Sequence, residues 1–149
     1  MERRPTPNRL VIGIGNSLRG DDGVGALLAE QAGGRSVQQL TPELAEELAG
    51  LEEVLFIDAW LAPAGAEPQL IELSPAGSDG GADSSPQSHR LEPAALLALS
   101  QLLYGRAPRA QLLLVPATAF EHGTVLSAEL RAALPQALAL LHRWLSDAG

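Results

Sequence analysis

Short runs of aliphatic residues, separated by stretches with helical periodicity, constrain the fold of this chain more than any other feature. The three clearest runs lie within residues 9–14, 53–58 and 111–115. Uninterrupted runs of this length are typical of strands that are buried on both faces of a parallel sheet. A weaker run at residues 69–73 predicts an edge strand, and residues 37–40 predict a further short strand.

Four stretches between or after these runs predict helices. The first extends over about residues 23–32, and the second begins with Thr41 as N-cap and ends near Gly50. The third accepts Pro93 in its first turn. Its predicted buried face consists of Leu91, Ala95, Leu99 and Leu102. The fourth has Ser127 as N-cap, and Pro135 is expected to kink it. Its predicted buried face consists of Leu130, Leu134, Leu138, Leu141 and Leu145.

Alternating strands and helices predict an α/β fold. We expect a three-layer sandwich, in which helices cover both faces of a mostly parallel, twisted sheet of about five strands. With 149 residues the chain is expected to form a single domain, in which residues 1–8 are a frayed lead-in. Residues 74–88 are rich in Ser, Gly, Asp and Pro and predict a flexible loop. Functional residues of such folds lie beyond the carboxyl ends of the strands.

Charge and residue content argue against several classes of partner. The formal net charge of −8 disfavours binding to nucleic acid or to an anionic membrane, which usually needs a clustered basic surface. No apolar run approaches the roughly 18 residues of a membrane span. Arg3 and Arg4 are not followed by the apolar stretch of an export signal, and the chain contains no Cys. We therefore expect a cytoplasmic protein without a nucleic-acid or membrane partner.

The glycine-rich segment after the first strand does not fit a nucleotide-binding loop. Gly13 and Gly15 match the start of a dinucleotide fingerprint, but its third glycine position holds Leu18. Asp21 and Asp22 lie where the first helix begins, and two carboxylates there would repel a pyrophosphate. No Gly-Lys-Ser/Thr sequence follows, which also excludes a Walker-type loop.

Acidic residues at the strand ends are instead consistent with a metal site. Asp22 precedes the first helix, Asp58 follows a buried strand, and His89 lies where the flexible loop meets the third helix. Together they would supply two oxygen ligands and one nitrogen ligand with open coordination positions, a set that suits nickel or zinc. Each residue also has a purely structural interpretation. The aspartates can cap a helix or end a strand, and a single loop histidine is most often solvated.

Three segments resemble the hydrogenase maturation proteases. The opening motif of that family resembles residues 13–25, GIGNSLRGDDGVG. Its second strand with an acidic ligand is similar to residues 56–59, FIDA, and its histidine segment is similar to residues 88–91, SHRL. The resemblance spans nearly the whole chain. It implies the family's twisted sheet flanked by helices, and metal ligands at Asp22, Asp58 and His89.

The function implied by this resemblance is that of a metal-dependent endopeptidase. It would remove the C-terminal extension of a nickel-iron hydrogenase large-subunit precursor after nickel insertion. Nickel held by the precursor would be the recognition signal, although another divalent metal could substitute. Asp22, Asp58 and His89 would then be catalytic too, because they would position the scissile peptide beside a metal-polarised carbonyl or a metal-bound water. The alternatives are a non-catalytic, chaperone-like binder of the nickel-loaded subunit and a nucleotide-binding domain.

The chain departs from the family pattern in three places. Residues 39–42, QLTP, stand where relatives often have Gly and Thr, so the family's substrate contacts in this loop are not carried over to this chain. The loop at residues 74–88 is idiosyncratic. Residues 119–123, AFEHG, resemble the family pattern only loosely. His122 within them is either a second polar group near the site or, as the favoured interpretation, a surface histidine.

Overall fold

A computed structural model of the chain describes residues 8–15, 23–63, 65–75, 91–117 and 127–146. The described residues form five strands and four helices. The strands are β1 (Arg9–Ile14), β2 (Arg35–Val37), β3 (Glu53–Leu61), β4 (Gln69–Leu73) and β5 (Arg109–Ala117). The helices are α1 (Val24–Gln31), α2 (Leu44–Ala49), α3 (Pro93–Tyr104) and α4 (Ala128–Ser146). Among these described helices, none has the length and apolar character needed to cross a membrane.

The strands form one mostly parallel sheet in the order β2-β1-β3-β5-β4. The pairs β1–β2, β1–β3 and β3–β5 are parallel, whereas β4 is antiparallel to β5 at the edge. This topology confirms the predicted α/β fold, and it confirms residues 69–73 as an edge strand. The aliphatic runs specified the central strands correctly because β1, β3 and β5 are covered on both faces.

Helices cover both faces of the sheet. On one face, α1 and α4 pack against alternate residues of the central strands. The buried strand residues of this cluster are Val11, Leu55, Ile57, Leu113, Val115 and Ala117. On the other face, α2 and α3 pack against the intervening residues. The buried strand residues of that cluster are Ile12, Ile14, Val54, Phe56 and Ala110. The predicted three-layer sandwich is therefore confirmed.

The first turn of α1 lies directly against β1, backbone to backbone. A Cβ atom added at Gly13 would lie 1.9 Å from the carbonyl oxygen of Gly25. A Cβ atom added at Gly25 would lie 2.5 Å from the carbonyl oxygen of Ile14 and 2.6 Å from that of Ile57. Real Cβ atoms do not approach other atoms this closely, so both positions require glycine. The helix is thereby fixed at the carboxyl ends of β1 and β3.

Several element boundaries differ from those predicted. Strands β3 and β5 extend beyond the predicted runs, to Leu61 and over Arg109–Ala117 respectively. Strand β2 comprises Arg35–Val37 instead of residues 37–40, because Gly34 packs so closely on Val11 that the chain already pairs with β1 at Arg35. Helix α2 begins at Leu44, and Thr41 is not its N-cap. Tight turns precede it, in which the Leu44 N–H donates to the Thr41 carbonyl (3.0 Å). Hydrogen bonds from its own backbone N–H and from the Thr41 side chain lower the pKa of the exposed Glu43 carboxyl.

The predicted buried face of α3 is confirmed only in part. Leu91 and Leu99 are partly buried against the cluster on the α2 and α3 face. Helix α3 buries Pro93, Leu96, Leu97 and Ser100, whereas Ala95 is exposed and Leu102 is 80% exposed. Leucines occur on several sides of this helix, so their spacing alone does not identify the side that packs on the sheet. Ser100 lies on the buried side, and its hydroxyl donates to the Arg106 carbonyl (2.7 Å). The first position of the helix does hold Pro93, as predicted.

The prediction for α4 is confirmed at its start and along its face. The Leu130 N–H donates to the Ser127 hydroxyl oxygen (3.1 Å), so Ser127 is the N-cap. Leu130 and Leu141 are buried, and the other three predicted leucines are partly buried against the same cluster. The helix continues across Pro135, and the kink expected there stays a prediction.

Candidate active site

Asp58 lies at a step in the carboxyl edge of the sheet. Pairing between β1 and β3 ends at Gly13 and Ile57, one residue before Asp58. Pairing between β3 and β5 continues through Asp58, opposite Leu114, to Leu61. The sequence predicted that the strand would end at Asp58. The strand instead continues for three more residues, because its pairing with β5 extends to Leu61. Asp58 is placed where β1 stops and the other two central strands project further.

The side chain of Asp58 faces the layer formed by α2 and α3. Side chains alternate along a strand, and Val54 and Phe56 belong to the cluster on that face. Asp58 is partly buried, and its Oδ1 accepts a hydrogen bond from the Ala59 N–H (2.9 Å). A hydrogen bond to a carboxylate is stronger than one between neutral groups, so it orients the side chain at the edge.

Asp22 lies outside the described residues, but the chain just after it is described. The described part of the chain begins again at Gly23, one residue after Asp22, and leads into α1. Gly25 in the first turn of α1 contacts the backbone of Ile14 and Ile57 at the carboxyl edge. The described residues that directly follow Asp22 in the sequence are therefore close to Ile57, the residue before Asp58.

His89 also lies outside the described residues, and the chain resumes two residues later at Leu91. Leu91 packs against the cluster on the α2 and α3 face, the face to which Asp58 points. Helix α3 ends near the start of β5, at the amino edge of the sheet. Its twelve residues rise about 18 Å, so its first turn lies towards the carboxyl edge. The described chain nearest to His89 thus approaches the same edge as Asp58.

Comparisons with known proteins support this architecture at the level of solved structures. No family model matches the chain, and no curated protein matches it. The hydrogenase maturating endopeptidase HybD from E. coli superposes with a TM-score of 0.73 and 20% identity, over 95% of this chain and 94% of that one. The NiFe hydrogenase maturation protease HycI from Thermococcus kodakarensis KOD1 gives a TM-score of 0.70 and 20% identity, over the same shares of the two chains.

A hydrogenase 2 maturation peptidase from Thaumarchaeota archaeon SCGC_AB-539-E09 is similar too. Its TM-score is 0.65 at 24% identity, over 93% of this chain and 98% of that one. The chain has the fold of the hydrogenase maturation endopeptidases. The similarity extends over nearly the full length of both proteins in each comparison, which confirms the fold that the three sequence segments implied.

Within this maturation-endopeptidase fold, the structure locates one of the three predicted site residues. Asp58 is at the carboxyl edge, whereas Asp22 and His89 are not described, and neither are Asp21 and His122. Among the described residues, no three His, Asp or Glu side chains form a cluster that could hold a metal ion. That search did not include two of the three predicted ligands, so their role as metal ligands stays a prediction.

One feature of this maturation-endopeptidase fold was missed by the sequence reasoning. A cavity of about 270 Å³ lies between the ends of β3 and β5, the segment after β3, and α4. We call it the alanine–proline pocket. Among the residues that the structure describes, its lining consists of Ala62, Pro63, Gly65, Ala66, Pro68, Pro116, Ala117, Ala132, Ala133 and Gln136. Small apolar residues carry no chemical motif. The prolines that follow β3 indicate a turn, but they do not indicate that a cavity lies beside it.

Proposed function

We propose that this chain is a cytoplasmic endopeptidase that removes the C-terminal extension of a nickel-iron hydrogenase large-subunit precursor after nickel insertion. The observation that carries the proposal is the shared fold. It covers 95% of this chain and 94% of a structure named as a hydrogenase maturating endopeptidase. The position of Asp58 at the step in the carboxyl edge supports it, because ligands bind at that edge in open α/β sheets.

We assign Asp22, Asp58 and His89 as the residues that hold the nickel of the precursor. The donor set fits, because two carboxylates and an imidazole suit a divalent first-row metal. The described neighbours of Asp22 and His89 approach the edge that carries Asp58, which is consistent with the assignment. Nickel enters this site as part of the substrate, and another divalent metal could substitute. When bound, nickel supplies Lewis-acid polarisation of an adjacent carbonyl.

The contribution of the chain itself is to hold and orient the substrate. The Ala59 N–H fixes the orientation of the Asp58 carboxylate. A carboxylate held in this way can position the nickel-bearing part of the precursor and thereby the scissile peptide bond. The chain has no Cys and therefore offers the metal no thiolate. Oxygen and nitrogen ligands bind nickel less tightly than thiolates would, which favours release of the trimmed subunit.

Intact-mass measurement of a tailed precursor tests the proposed function. The precursor is incubated with this chain in its nickel-loaded and its nickel-free form. We expect the nickel-loaded form to lose the mass of its C-terminal extension, and the nickel-free form to keep its mass. A released peptide of matching mass identifies the cleaved bond.

The chaperone-like alternative predicts a different result in the same experiment. A non-catalytic binder would form a complex with the nickel-loaded precursor, and the mass of the precursor would not change. Binding without any loss of mass, after the time in which an active maturation endopeptidase processes its own precursor, would therefore overturn the proposed function. Equal cleavage with and without nickel would overturn only the proposed role of nickel.

A further inference from the structure

Trp60 is a large aromatic residue on the same side of the sheet as Asp58. One residue separates the two on β3, and side chains at alternate positions of a strand point to the same side. Val54 and Phe56, which precede them at the same spacing, belong to the cluster on the α2 and α3 face. At roughly 3.3 Å per residue, the backbone of Trp60 lies about 7 Å beyond that of Asp58 along the strand.

The Trp60 side chain lies outside the hydrophobic core that the described residues form. It is only partly buried, and neither of the two core clusters of described residues includes it, whereas Phe56 on the same side is fully buried. A tryptophan that served only to fill the core would be expected within one of these clusters, because burial of its large apolar surface is favourable. A partly exposed tryptophan at the ligand-binding edge of a sheet is instead typical of a contact with a partner.

The backbone holds Trp60 in a fixed place relative to Asp58. Trp60 is paired with Pro116 of β5, and this pairing continues beyond it to Leu61. On the other side of β3, the pairing with β1 ends at Ile57. Trp60 therefore lies on a paired strand, at the step where the pairing with β1 has ended. A site on a strand is positioned more precisely than one on a loop, so Trp60 and Asp58 can contact one bound molecule together.

We propose that Trp60 binds the precursor by packing its indole ring against the polypeptide next to the nickel-bearing group that Asp58 engages. This inference rests on the proposed function and adds a substrate-binding residue to it. The ring packs on CH groups and peptide planes, so the contact requires no particular side chain in the precursor. Burial of the ring stabilises the bound precursor in the ground state and in the transition state alike, so its loss should affect KM more than kcat.

The kinetics of three variants test the proposal. Trp60→Ala removes the ring, Trp60→Phe keeps an aromatic face, and Leu61→Ala is the matched control. Leu61 is the next residue of β3, is 50% exposed, and points to the opposite side of the sheet. Both alanine variants thus lose a large apolar side chain at the same end of the same strand. The thermal unfolding midpoint and the circular dichroism spectrum verify that the variants fold.

We expect Trp60→Ala to raise KM for the nickel-loaded precursor by about tenfold to a hundredfold, as for loss of an aromatic anchor at an interface, with little change in kcat. Trp60→Phe should retain most of the affinity, and Leu61→Ala should keep a KM near that of the wild type. A purely structural Trp60 would instead lower the unfolding midpoint and leave the KM of the folded enzyme unchanged, which would overturn the proposal.

Tryptophan fluorescence provides a readout that does not depend on cleavage. The chain has two tryptophans, and Trp144 is only 6% exposed and lies beside Arg9. The difference in emission between the wild type and Trp60→Phe therefore reports on Trp60. We expect bound precursor to protect this emission from quenching by acrylamide. Unchanged quenching in the complex of the wild type with the precursor would overturn the proposed contact.

The two measurements together distinguish failure of this inference from failure of the proposed function. Cleavage by the wild type, with Trp60 unprotected and Trp60→Ala at the wild-type KM, would overturn the contact and leave the endopeptidase intact. Protection of Trp60 by the precursor without cleavage would retain the contact and overturn the endopeptidase. A wild type that neither binds nor cleaves the precursor would overturn both.

Discussion

Arg9 connects the first strand to the last helix through several simultaneous contacts. Its Nε donates to Glu53 Oε1 (2.9 Å), and its other nitrogens donate to the carbonyls of Leu145 (3.1 Å) and Trp144 (2.6 Å). The guanidinium carbon lies 3.9 Å from the centre of the Trp144 ring. The last carbonyls of a helix lack partners within it, so Arg9 satisfies two of them. It therefore anchors the C-terminal end of α4 at the amino edge of the sheet.

Arg9→Ala should lower the free energy of unfolding by about 2–4 kcal/mol. The Arg9 side chain is only 13% exposed, and its removal leaves the Leu145 and Trp144 carbonyls without this donor, whereas Glu53 keeps Arg109 as a second partner (3.3 Å). The control is Arg35→Ala. Arg35 pairs with Glu47 at 46% and 38% exposure, and its loss should cost less than about 1 kcal/mol. Urea unfolding measures both. Equal effects of the two variants would refute the anchoring role of Arg9.

Single residues were predictable from the sequence only where a local pattern marks them. Asp58 was chosen as a candidate site residue because it follows an aliphatic run. Ser127 was predicted as an N-cap because it precedes the apolar residues on one side of a helix. Arg9 was not identified, since its partners lie 44 to 136 residues away. Contacts at that separation are specified by the tertiary fold and leave no periodic signal in the sequence.

At the scale of elements, the close packing of α1 on β1 determines what lies near Asp58. Two glycines allow it, and one of them, Gly25, contacts the carbonyl of the residue directly before Asp58. An added side chain would push the helix away from the carboxyl edge. The position of α1 therefore links the stability of the fold to the geometry of the candidate site.

Gly25→Ala should be destabilising by about 1–3 kcal/mol, because its Cβ would overlap two backbone carbonyl oxygens that cannot easily move. Gly50→Ala is the matched control. Its Cβ would meet only the Glu47 carbonyl oxygen, at 3.6 Å, which is an ordinary contact, and the change should stay within about 0.5 kcal/mol. Thermal unfolding of both variants measures the difference. A Gly25→Ala protein as stable as Gly50→Ala would show that α1 does not require this close approach.

Strands were easier to predict than helix faces. A strand that is buried on both sides needs apolar residues at every position, and such a run has few other interpretations. Helix α3 carries leucines on most of its surface, so periodicity could not identify the buried side. Leu96, Leu97 and Ser100 form the buried side, and the path of the chain around the helix sets it.

At the scale of the whole molecule, β3 and β5 extend three residues beyond the pair Asp58–Leu114, whereas the pairing of β1 with β3 ends one residue before Asp58. This unequal extension creates both the step that holds Asp58 and the wall of the alanine–proline pocket. The sheet architecture was predictable from the alternation of patterns. The pocket was not, because its described lining comes from three separate parts of the chain and consists, apart from Gln136, of ordinary Ala, Pro and Gly.

In the proposed mechanism, the carboxylates of Asp58 and Asp22 engage the precursor's nickel for cleavage. The most direct measurement is the intact mass of nickel-loaded precursor after incubation with Asp58→Asn or Asp22→Asn. We predict that the extension stays attached while the wild type removes it, which corresponds to a loss in rate on the order of 100-fold or more. Glu72→Gln, at an exposed carboxylate of β4, should process normally. Complete processing by both aspartate variants would contradict the account.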